Sequence, residues 1–459
     1  MAPTRLPSSF RDPSGFIFER DGVLLRQVNQ SYAGDFELFE SSGLSDALVR
    51  AKLLVPYQQA GLDKALSKEA ISVLQPEKIE FISYPYEWCF SQLKDAALLT
   101  LRIQMVALDH GMCLKDASAY NVQFWRGKPV FIDTLSFEKY EEGKPWIAYK
   151  QFCQHFLAPL ALMSFTDVRL SSLLRTFIDG IPLDLASRLL PKKTRFQLGL
   201  MLHIHGHAKA QAGKSDGKAP AGGMTKTAMK GIISNLESTV SKLTYEAKDT
   251  EWADYYSQTN YSQGARTEKE KLVAQYLGLI TPSPKTAWDL GANTGEFSRI
   301  ASEAGISTIA WDIDPAAVEK GYQMVKSAGI SNLLPLLEDF SNPSPSLGWA
   351  NQERQSLEER GRVDAVMALA LIHHLAIGNN VPLADVATFF VSLAKWAIVE
   401  FVPKEDSQTQ KLLHARKDVF TDYSEEGFET AFGRWYQIVK KDKIEGSHRT
   451  LYLLKERGQ

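Results

Sequence analysis

Apolar residues follow two different periods through the second half of the chain. Runs of strand length are predicted over 286–290, 307–312, 333–337, 363–369 and 397–402, with helical spacing over 296–303, 315–327 and 383–395. Pro315 falls in the first turn of its helix, where a missing N–H costs nothing. Two last strands, 435–440 and 450–454, have only a polar turn between them and so predict an antiparallel hairpin. Strand and helix alternating in this order predict an α/β fold with a doubly wound parallel sheet and an edge hairpin.

The first half is patterned less regularly. A helix is predicted over 92–110, with Leu93, Ala97, Leu98, Leu101, Ile103, Val106 and Leu108 as its apolar residues. Upstream, SGFIFERDGVLLRQV reads as a hairpin, 34–42 as a helix offering Glu37 and Glu40, and EKIEFISYPYEW as a strand. Between the halves lies GHAKAQAGKSDGKAPAGGMTKTAMKG, rich in Gly, Ala and Lys and nearly devoid of large apolar residues. Such a stretch buries too little surface to offset its ordering entropy. A helix over 232–245 then leads into the second half. The expected domains are residues 1–205, α+β, a flexible linker over 206–231, and residues 232–459, α/β.

Composition narrows the function. The 52 basic and 54 acidic residues leave a net charge of -2, so bulk charge gives nucleic-acid binding no support. Cys89, Cys113 and Cys153 are odd in number and lack metal-ligand spacing, which fits buried thiols in a reducing compartment. No apolar run reaches the roughly 18–20 residues of a membrane span, and no signal-peptide core opens the chain. The expectation is a soluble cytoplasmic protein of undetermined oligomeric state.

The sharpest chemical signal is WDLGANTGEFS, 288–298. A strand ends in Asp289, a turn carries Gly291, Asn293 and Gly295, and a helix starts at once. Glycines let the backbone turn tightly and approach a ligand without a Cβ in the way. Asp312 follows 17 residues after Gly295, at the end of the second strand, where a carboxylate can accept both ribose hydroxyls of a nucleoside. A dinucleotide would use the same place. The turn departs from G-x-G-x-x-G, however, and Asp289 would repel a pyrophosphate while pairing with an ammonium. These features favour S-adenosylmethionine (SAM). After the third strand, Glu338 and Asp339 offer an acceptor for an adenine amino group and Phe340 a face for its ring. An ordinary loop carboxylate is the alternative.

This order of motifs resembles the class I SAM-dependent methyltransferases from Ala265 to Arg457. The resemblance implies a seven-stranded Rossmann-like sheet with its last strand antiparallel, and places His373 and His374 beside the transferred methyl group. A histidine there can take the acceptor's proton. The alternative is one packed and one solvated histidine. Glu400, at the end of the fifth strand, is expected inside the rim, orienting the acceptor or a histidine. Asp406 is expected as a helix cap. Four aromatics in WADYYSQTNYS, 252–262, form a lid, a stacking platform or plain packing.

In the first half, LKDASAYNVQF sets Asp116 and Asn121 five residues apart, and PVFIDTLSFE brings Asp133 to a strand end. This resembles the protein kinase and aminoglycoside phosphotransferase superfamily. The resemblance implies a base at Asp116, magnesium on Asn121 and Asp133, and ATP. Arg26 stands where that superfamily has its phosphate-binding lysine, and no clear glycine-rich loop covers the phosphates. His203, His205 and His207 alternate rather than pairing at i, i+4 as a helical zinc site does. Over its whole length, through SYPYEWCFSQLKDAALLTL and the segments above, the chain resembles the NoeA-like nodulation group of methyltransferases.

Three functions follow. One is a methyltransferase whose N-terminal domain recruits an acceptor (a small molecule, glycan, lipid-linked intermediate or protein). Another is a bifunctional kinase-methyltransferase acting twice on one substrate. The third is a non-catalytic nucleotide-binding scaffold.

Overall fold

The computed structural model describes residues 4–207, 223–247, 263–414 and 418–458. The chain divides into two units. One comprises Met1–Glu246 with the short segment Leu347–Arg354, the other Ala247–Ser346 with Gln355–Gln459.

The first unit opens on five strands, β1 (Thr4–Arg5), β2 (Gly15–Arg20), β3 (Val23–Asn29), β4 (Tyr57–Ala60) and β5 (Ala70–Pro76). All pair antiparallel, in the order β1-β2-β3-β5-β4. Phe16, Phe18, Leu25 and Val73 alternate onto one buried face of this sheet, as a period of two requires. Helix Phe90–Asp109 follows, apolar over most of its length. Then come two small ladders, β6 (Met112–Leu114) with β9 (Phe137–Lys139), and β7 (Val122–Trp125) with β8 (Lys128–Phe131). This is an α+β unit.

Two segments differ from the sequence reading. EKIEFISYPYEW forms no strand; the strand lies just before it, as β5. Tyr84, Tyr86 and Trp88 are drawn into the core instead, where Gln123 pairs with the Ser83 backbone and the Trp88 indole donates to the Ser83 hydroxyl. Helix Lys226–Lys242 belongs to the first unit rather than leading into the second. Its apolar stripe of Met229, Ile233, Leu236 and Val240 is buried, and Lys94 donates to the carbonyls of Ser241 and Leu243 near its end. Much of the expected linker, and all of 252–262 with its aromatics, lie outside the described residues.

The second unit is a seven-stranded sheet of β10 (Thr286–Leu290), β11 (Ser307–Asp312), β12 (Leu333–Leu337), β13 (Val363–Ala368), β14 (Ala394–Phe401), β15 (Tyr436–Lys443) and β16 (Thr450–Glu456). Their order is β12-β11-β10-β13-β14-β16-β15. The first five are parallel, while β16 runs antiparallel between β14 and β15. Strand order therefore reverses between β10 and β13, the point at which open α/β sheets bind ligands. Helices Gln263–Leu279 and Glu296–Glu303 share one core with Ala287, Met367, Ile398 and Leu453 of the sheet. Helix Pro315–Ala328 covers Ala310 and Leu333 in a separate cluster. This is the class I methyltransferase sheet.

Among the described residues no helix is long and apolar enough to cross a membrane. The three cysteines are buried and form no disulfide.

Candidate functional site

The turn after β10 is held by its backbone conformation. Gly291 and Gly295 have φ of 77° and 82°, in the left-handed region that strains any residue with a Cβ. A Cβ on Gly291 would also stand 3.2 Å from the Leu371 side chain. Asn293 adopts the same region at φ 52°, which asparagine tolerates better than most residues. The N–H groups of Gly291 and Ala292 both donate to the Trp311 carbonyl, stitching the turn to β11.

Around this turn lies a cavity of about 330 Å³, lined by Asp289, Gly291, Asn293, Asp312, Glu338, Asp339, Phe340, Leu371, His374, Asn379 and three cations, Arg266, Lys269 and Arg449. Six of the seven cofactor candidates from the sequence (Asp289, Gly291, Asn293, Asp312, Asp339 and Phe340) line it; Gly295 stands behind, as the last residue of the turn.

The two strand-end aspartates are chemically unequal. Asp312 Oδ2 accepts the Asn293 N–H at 2.7 Å and Oδ1 the Asp314 N–H at 2.8 Å, which fixes its orientation. Asp289 Oδ2 accepts the Ser298 hydroxyl at 2.6 Å, but its Oδ1 is buried with no hydrogen-bond partner. Burial pushes the Asp289 carboxyl up to about 6, with the Asp312 charge adding to it and Ser298 and Lys269 opposing. Burial likewise raises Asp312 to about 6 against its backbone donors. A buried carboxylate oxygen lacking a donor is costly. An ammonium in the cavity would remove that cost, so the residues fit the methionyl end of SAM.

Beyond the third strand, Glu338 Oε1 accepts the N–H groups of Asp339 and Ser344, and Asp339 accepts from Ser341, so this loop is braced by its own carboxylates. Phe340 leans on Phe389, ring centroids 6.4 Å apart.

The histidines separate. His374 faces the cavity, whereas His373 is wholly buried behind it, its ring 4.1 Å from that of His374 and neither nitrogen bonded. Burial, then the charge of Arg449, lowers His374 to about 4; burial drives His373 well down as well. Both rings are neutral at physiological pH. Glu400 is not on the rim. It is fully buried, accepting from Lys269 Nζ at 2.6 Å and Arg449 at 3.3 Å, and so positions two cations rather than a histidine. Asp406 accepts the Gln408 N–H at the start of helix Ser407–His414, as a cap does, and also pairs with Arg449 at 2.7 Å. The sequence reading missed Lys269, Arg266 and Arg449. The first two lie on the helix before β10 and the third in the β15–β16 turn, with no local motif to mark them.

In the first unit the structure gathers Arg26, Asp116, Asn121 and Asp133. Arg26 forms an ion pair with Asp133, which also accepts from the Ser136 hydroxyl and the Leu135 N–H. Burial alone would raise the Asp133 carboxyl, but Arg26 and these donors outweigh it and hold it below the ordinary value. Burial raises Asp116, and Asp133 adds to this; the Ser118 N–H and the side chains of Asn121 and Gln151 offset part of it. Glu37 and Glu40 take no part: Glu37 is exposed and Glu40 accepts from the Tyr57 hydroxyl. His203 and His205 are buried in hydrogen bonds to neighbouring side chains.

Strand order and cavity together define the second unit as a class I methyltransferase fold. The chain belongs to the family of nodulation protein NoeA from Rhizobium meliloti (strain 1021), with which it is 39% identical over 460 residues, covering 98% of this chain and 96% of that protein. No protein-family model matches. Solved structures with some likeness include magnesium protoporphyrin IX methyltransferase (ChlM) from Synechocystis PCC 6803, 17% identical over 45% of this chain and 93% of that one, TM-score 0.32. Another is N-methyltransferase NodS from Bradyrhizobium japonicum WM9, 11% identical over 43% and 99%, TM-score 0.32. A third is the bifunctional kinase-methyltransferase WbdD, 15% identical over 46% and 40%, TM-score 0.29.

Proposed function

We propose that the C-terminal unit methylates a hydroxyl or amine acceptor, with Asp312 holding the ribose of SAM and Asp289 its ammonium. The observation that carries this reading is the buried, unpartnered Oδ1 of Asp289, a residue that lines the cavity beside the glycine turn. Asp339 and Phe340 take the adenine, and Lys269 lies where a carboxylate can meet it. SAM supplies an electrophilic methyl on a sulfonium, so the protein's task is to position and desolvate the acceptor. His374 accepts the acceptor's hydrogen bond. Lowered to about 4, it takes the proton only as the acceptor oxygen gains positive charge and becomes far more acidic. His373 and Glu400 act behind it as packing and as the anchor of the cations.

Calorimetric titration of SAM into the full chain tests the site, and transfer of tritiated methyl from SAM into fractionated cell extract tests the activity. Binding and transfer both lost in Asp312→Ala are expected. No heat with the unaltered chain would sink the reading.

A second reading, phosphoryl transfer by the first unit before or after methylation of the same substrate, is favoured by the convergence of Arg26, Asp116, Asn121 and Asp133. Asn121 and Asp133 offer oxygen ligands of the kind magnesium takes, and Asp116 can take an acceptor proton. Magnesium and ATP require Asp133 to exchange Arg26 for the metal, because arginine cannot give up its charge. ATP hydrolysis abolished by Asp133→Ala supports this reading; without ATP binding the unit is an acceptor-recruiting frame. The buried cysteines and the lack of a spanning helix among the described residues support a cytoplasmic site of action.

A further inference from the structure

One surface of the first unit serves neither site. His205 contacts the Ser187 hydroxyl at 2.8 Å and that of Thr194 at 2.9 Å, while His203 bridges the Tyr149 hydroxyl at 2.6 Å and Asn235 at 2.8 Å. With buried Leu200 and Ile204, these histidines fasten the stretch 192–202 from beneath. Gly199 fits against Thr239 so closely that a Cβ would collide with it. The stretch is therefore a fixed ridge.

Its outer side is unusual. Phe196 is 91% exposed, Leu198 76%, Leu202 53% and Met201 44%. Lys192, Lys193 and Arg195 are exposed among them, and 192–202 contains no acidic residue. Single exposed apolar side chains are ordinary, but four together interleaved with cations mark an interaction surface. No acidic side chain among the described residues forms an ion pair with these three cations. Because the inward-facing residues are already bonded, the ridge cannot roll over to bury its own apolar side.

We propose that this ridge docks peripherally on an anionic lipid bilayer, with Phe196, Leu198, Met201 and Leu202 entering the acyl boundary and Lys192, Lys193 and Arg195 meeting headgroup phosphates. The charge favours it: an anionic leaflet attracts clustered Lys and Arg and also offers apolar depth. Extent favours it too. The ridge spans 11 residues, whereas a stable protein interface engages roughly 20–30 on each side. Lysine and arginine stems reach past an inserted apolar side chain to place their charges at the headgroups.

The test is co-sedimentation of the full chain with vesicles of phosphatidylcholine alone and of a three-to-one mixture with phosphatidylglycerol. Binding to the mixed vesicles only, released by raised salt, is expected. Phe196→Asp combined with Leu198→Asp should cut the bound fraction at least about tenfold, and Lys192→Glu with Lys193→Glu comparably, with unchanged circular dichroism melting. Wild-type protein staying in the supernatant, or a Phe196→Asp/Leu198→Asp variant that sediments equally, overturns the proposal. So does light scattering that shows a dimer broken by that variant, since the ridge would then be a contact between copies of this chain.

Discussion

The two candidate sites differ in how they satisfy their own charges. In the second unit Asp289 keeps a buried oxygen without a donor, beside a turn whose glycines keep the approach open. In the first unit the corresponding carboxylate, Asp133, is saturated by Arg26, Ser136 and Leu135. A site poised for a cationic ligand stores its cost in the empty state and recovers it on binding. A self-paired site is stable when empty and must break a bond to bind. The pKa directions say the same, upward for Asp289 and downward for Asp133.

The contrast is broken most directly by Asp312→Ala, which removes the acceptor proposed for the two ribose hydroxyls. SAM affinity should fall at least about 100-fold by calorimetry, since hydrogen bonds to a charged group contribute about 1.5–3 kcal/mol each. The urea melt of the first unit should be unchanged. Next in size is Arg26→Ala. It leaves Asp133 without its partner and should lower the stability of the first unit by about 2 kcal/mol in urea melts, below the ~3–5 kcal/mol of a fully buried pair. Added magnesium should restore part of the loss if Asp133 is a metal ligand.

A tenfold effect is expected from pH. Asp289 must be ionised to pair with an ammonium, and its carboxyl in the ligand-free protein sits at about 6. SAM affinity should therefore be level above that pH and fall by at least about tenfold per unit below it, with Asp289→Asn removing the Asp289 share of the slope and leaving that of Asp312, which also sits at about 6. A flat wild-type profile would assign the ammonium to another group. The smallest effect belongs to Phe340→Ala, about two- to fivefold in SAM affinity, as for loss of one aromatic contact of ~0.5–1 kcal/mol.

What the sequence disclosed was what local chemistry controls. Asp289, Gly291, Asn293, Gly295 and Asp312 fall within one strand-turn-helix-strand passage, and both glycines have the positive φ the motif required. The parallel strands were legible because each is buried on both faces and reads as a continuous apolar run. Lys269 and Arg449 were not legible. Each is an ordinary charged residue in its own neighbourhood, and tertiary folding alone brings both onto Glu400. Glu400 was misplaced for the same reason, since its partners stand 131 and 49 residues away. The segment 77–88 misled through its aromatics, which are common in strands but here fill the core from an irregular stretch.

The position of β16 has a consequence for the order of assembly. Because it lies between β14 and β15, and the turn before it delivers Arg449, synthesis completes the sheet's interior and supplies the cavity's third cation only after β15 has been made. A nascent chain stopped at Gly446 would have all five parallel strands and the glycine turn. It would nevertheless expose the edge of β14 and leave Lys269 and Glu400 without their third member.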